Sequence, residues 1–177
     1  GSVTDLGATI KAASITQLES LARQIDSLEK MGVSSFDLEG LAIPVNVAKI
    51  FAQAAATSNI NFLNQPKLLI SADDNLFEVP EYLADLANLG VREIVFEDNV
   101  PVNAKAAYDI VQTTDQIIFK NGFISESEGI AEDQLKDVLA ELKVKGMTLS
   151  PSFKPTMGFE LVDNSQSDSD GILAMIT

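Results

Sequence analysis

The sequence predicts an α/β fold made of tandem repeats of about 57 residues, in which strand–helix units bring successive strands together in parallel. The first observation is a segment that occurs twice, as Met31-Gly32-Val33 with Ile43-Pro44-Val45-Asn46 and as Leu89-Gly90-Val91 with Val100-Pro101-Val102-Asn103. The second is its spacing, because Gly32, Gly90 and Gly146 follow one another at a nearly constant interval. A fixed period of this size is typical of an array whose units bury their apolar faces on one another.

The first unit, residues 15–75, is predicted to open with an amphipathic helix. Apolar residues recur at steps of three and four over 15–31, which places them on one face of a helix. Thr16 and Glu19 have the spacing of a capping box at its start. Gly32 is the residue expected to adopt a left-handed conformation after its end.

The rest of the first unit is predicted to alternate strands with a helix. Residues 33–38 are expected to form a strand, and Asn46 to cap a second helix over 47–56. Short strands are expected at 60–62 and 68–70. Because helices lie between the strands, parallel pairing is predicted.

The second unit, residues 76–128, and the third, residues 129–162, are predicted to follow the same order. In the second unit, a shared core is expected to contain Ile94, Phe96, Ile117 and Phe119, while Glu93 and Glu97 face solvent. The same alignment predicts positive φ angles at the three repeated glycines.

Two terminal segments are expected to lie outside the repeat module at 15–162. Residues 1–14 are interpreted as a tag remnant, Gly1-Ser2, followed by an N-terminal segment. Residues 163–177 are interpreted as an acidic Ser/Asp linker and a C-terminal segment.

The first strand of the second unit has the spacing Val91-x-x-Ile94-x-Phe96-x-x-Asn99, which is that of a leucine-rich-repeat strand with its asparagine corner. The expected architecture is therefore leucine-rich-repeat-like or a layered solenoid. More widely, residues 15 to about 150 resemble the degenerate α/β tandem repeats of large bacterial type I secreted, hemolysin-type calcium-binding surface proteins. The resemblance depends on Gly90-Val91-Arg92-Glu93-Ile94, Asp98-Asn99, the alanine-bearing helix at 104–107 and Asp115-Gln116-Ile117.

This resemblance implies a secreted or cell-surface array module with no catalytic role. The sequence departs from the family pattern in two places. The first unit has Glu39-Gly40 where Asp-Asn is expected, and the glycine-rich G-G-x-G-x-D motif that binds calcium in this class is absent from the 177 residues.

Composition excludes several classes of function. The chain has no cysteine, histidine or tryptophan, so thiolate nucleophiles, Ser-His-Asp triads and zinc sites with Cys or His ligands are excluded. Twelve basic and 26 acidic residues give a formal net charge of −14, which repels nucleic acid and anionic lipid. No apolar stretch has the length of a membrane-spanning helix. The acidic, cysteine-free composition favours an extracellular or bacterial cell-surface location.

Six acidic residues are weak candidates for calcium ligands, because paired acids beside amides and hydroxyls supply the oxygen atoms that this ion prefers. Turn formation alone also explains Asp and Asn after strands. The stretch rich in Ser and Asp at 163–171 is more typical of a solvated linker than of a calcium loop. The candidates are Asp73, Asp74, Glu97, Asp98, Asp168 and Asp170.

The sequence therefore favours a non-catalytic structural or adhesive module, with no cofactor or with calcium as the alternative. Expected partners are a protein or carbohydrate surface and neighbouring repeats of the parent chain, with no nucleic acid and no membrane insertion. One alternative function is a calcium or small-ligand-binding domain of such a surface protein. Another is a compact α/β regulatory domain of the anti-sigma-antagonist kind, which binds a protein partner.

Overall fold

The structure, a computed structural model, describes residues 8–11 and 14–155. These residues form an α/β fold with ten strands, six α-helices and two short 3-10 helices. The strands are β1 (Ala8–Lys11), β2 (Val33–Asp37), β3 (Ala42–Pro44), β4 (Asn61–Leu63), β5 (Lys67–Ile70), β6 (Glu93–Phe96), β7 (Pro101–Asn103), β8 (Ile118–Lys120), β9 (Phe123–Glu126) and β10 (Thr148–Lys154). The helices are α1 (Ile15–Arg23), α2 (Ile25–Lys30), α3 (Val45–Ala56), α4 (Val79–Asn88), α5 (Ala104–Thr113) and α6 (Leu135–Val144), with 3-10 helices at Leu76–Glu78 and Glu132–Gln134.

Every strand pair in the described residues is parallel, and the pairs form three open sheets. Their strand orders are β1-β2-β4, β3-β5-β6-β8 and β10-β9-β7. In the four-stranded sheet Leu68 of β5 pairs with Ile94 of β6, and Ile94 pairs with Phe119 of β8. The chain forms α4 between β5 and β6 and α5 between β6 and β8, which is why these strands run in the same direction. The predicted α/β class with parallel strands is confirmed.

One face of the four-stranded sheet packs against the core. Ile94 and Phe96 are buried, whereas Val95 between them is only partly buried and Glu97 is exposed. Phe119 is also buried, and its ring centroid lies 6.1 Å from that of Phe96. The predicted burial of these apolar side chains, and of Ile117, is confirmed, as is the exposure of Glu97. Glu93, which was predicted to face solvent, is partly buried.

The N-terminal part of the chain differs from the prediction in three ways. Residues 8–11, assigned to an N-terminal segment, form β1 and pair with β2. The long first helix is interrupted at Gln24, giving α1 and α2. The predicted capping box is wrong, because the Oγ of Ser14 accepts the bond from the Gln17 N–H at 3.1 Å. Thr16 already lies inside the helix, where its hydroxyl does not occupy the cap position.

The second helix also starts earlier than predicted. Pro44 has the extended cap conformation, with φ −63° and ψ 156°, so α3 begins at Val45 and Asn46 lies in its first turn. The predicted cap at Asn46 is therefore wrong. At the equivalent position before α5 an asparagine does cap the helix, because the Oδ1 of Asn103 accepts from the Ala106 N–H at 3.0 Å.

The three repeated glycines have the predicted conformation. The φ angles are 100° at Gly32, 84° at Gly90 and 106° at Gly146. Each follows the end of a helix, where a residue with positive φ reverses the chain toward the next strand. The prediction of a left-handed residue after each of these three helices is confirmed.

Candidate functional site

Tight corners join consecutive strands, and each corner contains a residue in the left-handed conformation. The φ angles are 53° at Glu39, 51° at Asn64, 63° at Asn99 and 59° at Asn121. Asparagine adopts this conformation more readily than most residues because its short polar side chain bonds to the local backbone. The four corners therefore turn the chain in a similar way although their sequences differ.

Side-chain hydrogen bonds connect neighbouring corners. The Nδ2 of Asn64 donates to Asp37 Oδ1 at 2.8 Å, and the Nδ2 of Asn121 donates to Asp98 Oδ1 at 3.0 Å and to the Phe96 carbonyl oxygen at 2.9 Å. Asp37 is 7% exposed. The Asn64 side chain and then the backbone N–H of Glu39 donate to its carboxylate, which lowers the pKa of Asp37.

A groove of 590 Å³ opens beside the corner that contains Asp98 and Asn121. Its base includes Phe123 on β9, which pairs with Pro101 of β7 on one side and with Thr148 of β10 on the other. Phe123 is 42% exposed. The lining residues are Asp98, Asn99, Val100, Pro101, Asn121, Phe123, Ser125, Ser150, Pro151 and Ser152.

An irregularity in β10 forms one wall of this groove. Leu149 pairs with Ile124, but the next pair is Lys154 with Glu126, so β10 places extra residues opposite β9. The inserted segment Ser150-Pro151-Ser152 is held by a 2.9 Å contact between the two serine Oγ atoms. Bulges of this kind turn side chains out of the sheet, and proline suits them because it donates no ladder bond.

The opposite wall is polar and has a single charge. Asn121 uses its amide nitrogen for Asp98 Oδ1, and within the described chain no further hydrogen bond occupies Asp98 Oδ2 or Asn121 Oδ1. Asn99 is exposed at the same corner. Asp98 is the one ionisable residue in the lining, and none of the ten lining residues is basic.

The four predicted calcium ligands that the structure describes do not form a metal-binding cluster. Asp74 accepts from the N–H and the hydroxyl of Ser71 at 2.8 Å and 3.1 Å, an arrangement that closes the turn shared with Asp73. Glu97 donates its backbone N–H to the Ile70 carbonyl, and only Asp98 lines the groove. Over residues 8–11 and 14–155, no cluster of three or more acidic side chains is placed to hold a metal ion. Asp168 and Asp170 lie outside the described residues, as does the predicted linker at 163–177.

Of the ten groove residues, sequence reasoning singled out only Asp98 and Asn99 as part of a candidate site, and it missed Asn121, Phe123, Ser150 and Ser152 among the others. Two features of the sequence could have indicated some of these residues. Phe123 precedes the buried Ile124 in an alternating strand, so its side chain points to the outer face. Pro151 follows a short stretch with strand character, and proline at such a place favours a bulge.

No helix among the described residues has the length and apolar character needed to cross a membrane. No protein-family model matches the sequence, and no curated protein matches it significantly.

Proposed function

We propose that this chain is a tandem α/β array module, leucine-rich-repeat-like or a layered solenoid, that serves as a non-catalytic structural or adhesive segment of a bacterial secreted or cell-surface protein. The observation that supports it most is the recurrence of one order of elements at a nearly constant spacing. From β2 to α4 the chain runs strand, strand, helix, strand, strand, 3-10 helix, helix, and the same order follows from β6 to α6.

The spacing of equivalent elements agrees with the proposed repeat length. The 3-10 helices begin at Leu76 and Glu132, and β5 and β9 begin at Lys67 and Phe123, so both pairs have the same offset along the chain. Gly90, which follows α4, and Gly146, which follows α6, have the same offset. Between the two proposed repeats β5 pairs with β6, and after the second one β9 pairs with β10 in the equivalent way. The junctions therefore follow one rule, as an array requires.

Packing between helices supports the same proposal. Contacts join α3 to α4, α4 to α5 and α5 to α6, so each helix packs against its neighbours in the chain. β1 and β10 are edge strands of their sheets in the described residues. Neighbouring repeats of a longer chain are the partners that such edges accept by continued parallel pairing.

Duplication of one repeat tests this proposal. A second copy of residues 91–146, which spans one full repeat, is inserted after Gly146. The first junction then joins Gly146 to Val91, and the second joins Gly146 to Met147 as in the original chain. We expect the longer chain to fold with unchanged helicity per residue and to extend by two strand layers, about 10 Å in small-angle scattering.

A glycine–serine insertion of equal length at the same position is the control, and it is expected to lower helicity per residue. If the duplicated repeat behaves like this control, or if it unfolds the rest of the chain, the array proposal is wrong. If the chain is instead a compact regulatory domain, the duplicated repeat should unfold the rest of the chain, because a single closed core does not accept an additional strand–helix layer.

A further inference from the structure

We propose that the groove beside β9, formed by Asp98, Asn99, Asn121, Phe123 and the Ser150–Ser152 bulge, binds a neutral saccharide. The proposal rests on the adhesive function suggested above and names the class of ligand that this surface takes.

The base of the groove offers an apolar face of the right kind. The Phe123 ring is 42% exposed and lies beside Pro101 across the parallel pair. A pyranose ring has an apolar face made of C–H groups, which packs on an aromatic ring or on proline. The buried Ile124 fixes the alternation of β9 and so keeps Phe123 directed outward.

The two walls supply the polar groups that sugar hydroxyls need. Asp98 Oδ2 and Asn121 Oδ1 are acceptors, and their positions are fixed because the Asn121 amide bonds to Asp98 Oδ1 and to the Phe96 carbonyl. Ser150 and Ser152 line the same groove. Their hydroxyls bond to each other at 2.9 Å, which leaves one hydroxyl hydrogen and further lone pairs for a ligand. Fixed polar groups around an apolar base are the usual arrangement in ligand pockets, and 590 Å³ lies within their usual range of volume.

The charge of the groove favours neutral saccharides over anionic ligands. The lining contains one carboxylate and no basic side chain, and the whole chain has a formal net charge of −14. Phosphorylated, sulfated or uronic sugars would place a negative charge next to Asp98 without a compensating cation. A neutral saccharide avoids this repulsion and still uses the acceptors on Asp98 and Asn121.

The test uses the full chain labelled with ¹⁵N and titrated separately with cellobiose, lactose, maltose and N,N′-diacetylchitobiose. We expect at least one of these disaccharides to shift the amide signals of Asn121, Phe123 and Ser152, with a millimolar Kd. Glucuronic acid is expected to bind more weakly than glucose. The Phe123→Ala variant is expected to weaken binding about tenfold, because it removes the apolar base.

Phe77→Ala is the matched control, because Phe77 is another exposed phenylalanine, 48% accessible, that lies outside the groove. It should leave the Kd unchanged. If none of the four disaccharides shifts the groove signals, or if Phe77→Ala weakens binding as much as Phe123→Ala, the saccharide proposal is wrong. Either result leaves the duplication experiment unaffected, so failure of the groove and failure of the array are distinguishable.

Discussion

Substitution of Gly146 by alanine should be among the most destabilising single changes in this protein. Two effects act at this position. Gly146 has a φ of 106°, which side chains of L-residues rarely adopt. A Cβ built on it would lie 2.3 Å from the Phe119 carbonyl oxygen, a backbone atom of the neighbouring layer. The backbone of β8 would have to move to make room for the new atom.

Comparison with Gly40 gives the expected loss in the free energy of unfolding. Its φ is 68°, and a Cβ there would meet no atom within 4 Å. Gly40→Ala therefore measures the left-handed conformation alone, which costs about 1–2 kcal/mol. Gly146→Ala adds the overpacking of a rigid neighbour, about 1–3 kcal/mol, so a total loss of about 2–5 kcal/mol is expected.

Gly90→Ala provides an intermediate case. Its φ is 84°, but the atom that a Cβ would meet first, at 2.1 Å, is Cγ of the Gln65 side chain. The Cγ atom can rotate away, but Cβ of Gln65, 3.1 Å from the new atom, is fixed to the backbone, so the expected loss lies between those of Gly40→Ala and Gly146→Ala. Valine at Gly90 should cost more than about 1 kcal/mol, because a β-branched residue is strained at positive φ.

Urea unfolding followed by circular dichroism measures these losses, provided that the m value is unchanged between variants. The informative quantity is the difference between Gly146→Ala and Gly40→Ala. If the two variants lose the same stability within experimental error, the backbone at Phe119 accommodates the added Cβ without strain. The conclusion that glycine is required there for contact between layers would then fail.

Two further predictions concern the acidic side chains. Because hydrogen bonds from Asn64 and Glu39 lower the pKa of Asp37 below 3.8, its contribution to stability is present above that pH and is lost as the pH falls through the lowered pKa. Acid unfolding of Asn64→Ala should therefore begin at higher pH than that of the unmodified chain, and an unchanged acid transition would contradict this assignment. Calcium and magnesium at equal millimolar concentration should raise the melting temperature equally, by screening a net charge of −14. A shift of several degrees with calcium alone, abolished by Asp98→Ala, would instead support the calcium-binding alternative.

The sequence was sufficient to predict the features that depend on local periodicity. Alternation in β6 predicted which of its residues are buried, and the recurring glycines predicted where the helices end. These features depend on the conformation of a few adjacent residues and on one buried face. For that reason a single sequence determines them well.

Features that depend on contacts between layers were not predictable in the same way. Ser14 rather than Thr16 caps α1, because the start of the helix is set by packing against α3 as well as by the cap itself. β1 was missed because so short a strand has too little pattern to be recognised without β2 beside it. The groove was missed because its walls come from three chain segments whose register only the folded structure determines.

The corner asparagines connect the scaffold with the candidate site. Asn64 and Asn121 each adopt a left-handed conformation and also donate to the preceding corner, so one residue type both turns the chain and joins the layers. Asn99 adopts the same conformation, but none of its side-chain hydrogen bonds occurs within the described chain, and it lines the groove. Among the described residues, its side chain therefore does not connect one corner to the next. Replacement of Asn99 by glycine would keep the backbone conformation while removing a polar group from the groove, so the contribution of this corner to binding can be separated from its contribution to the fold.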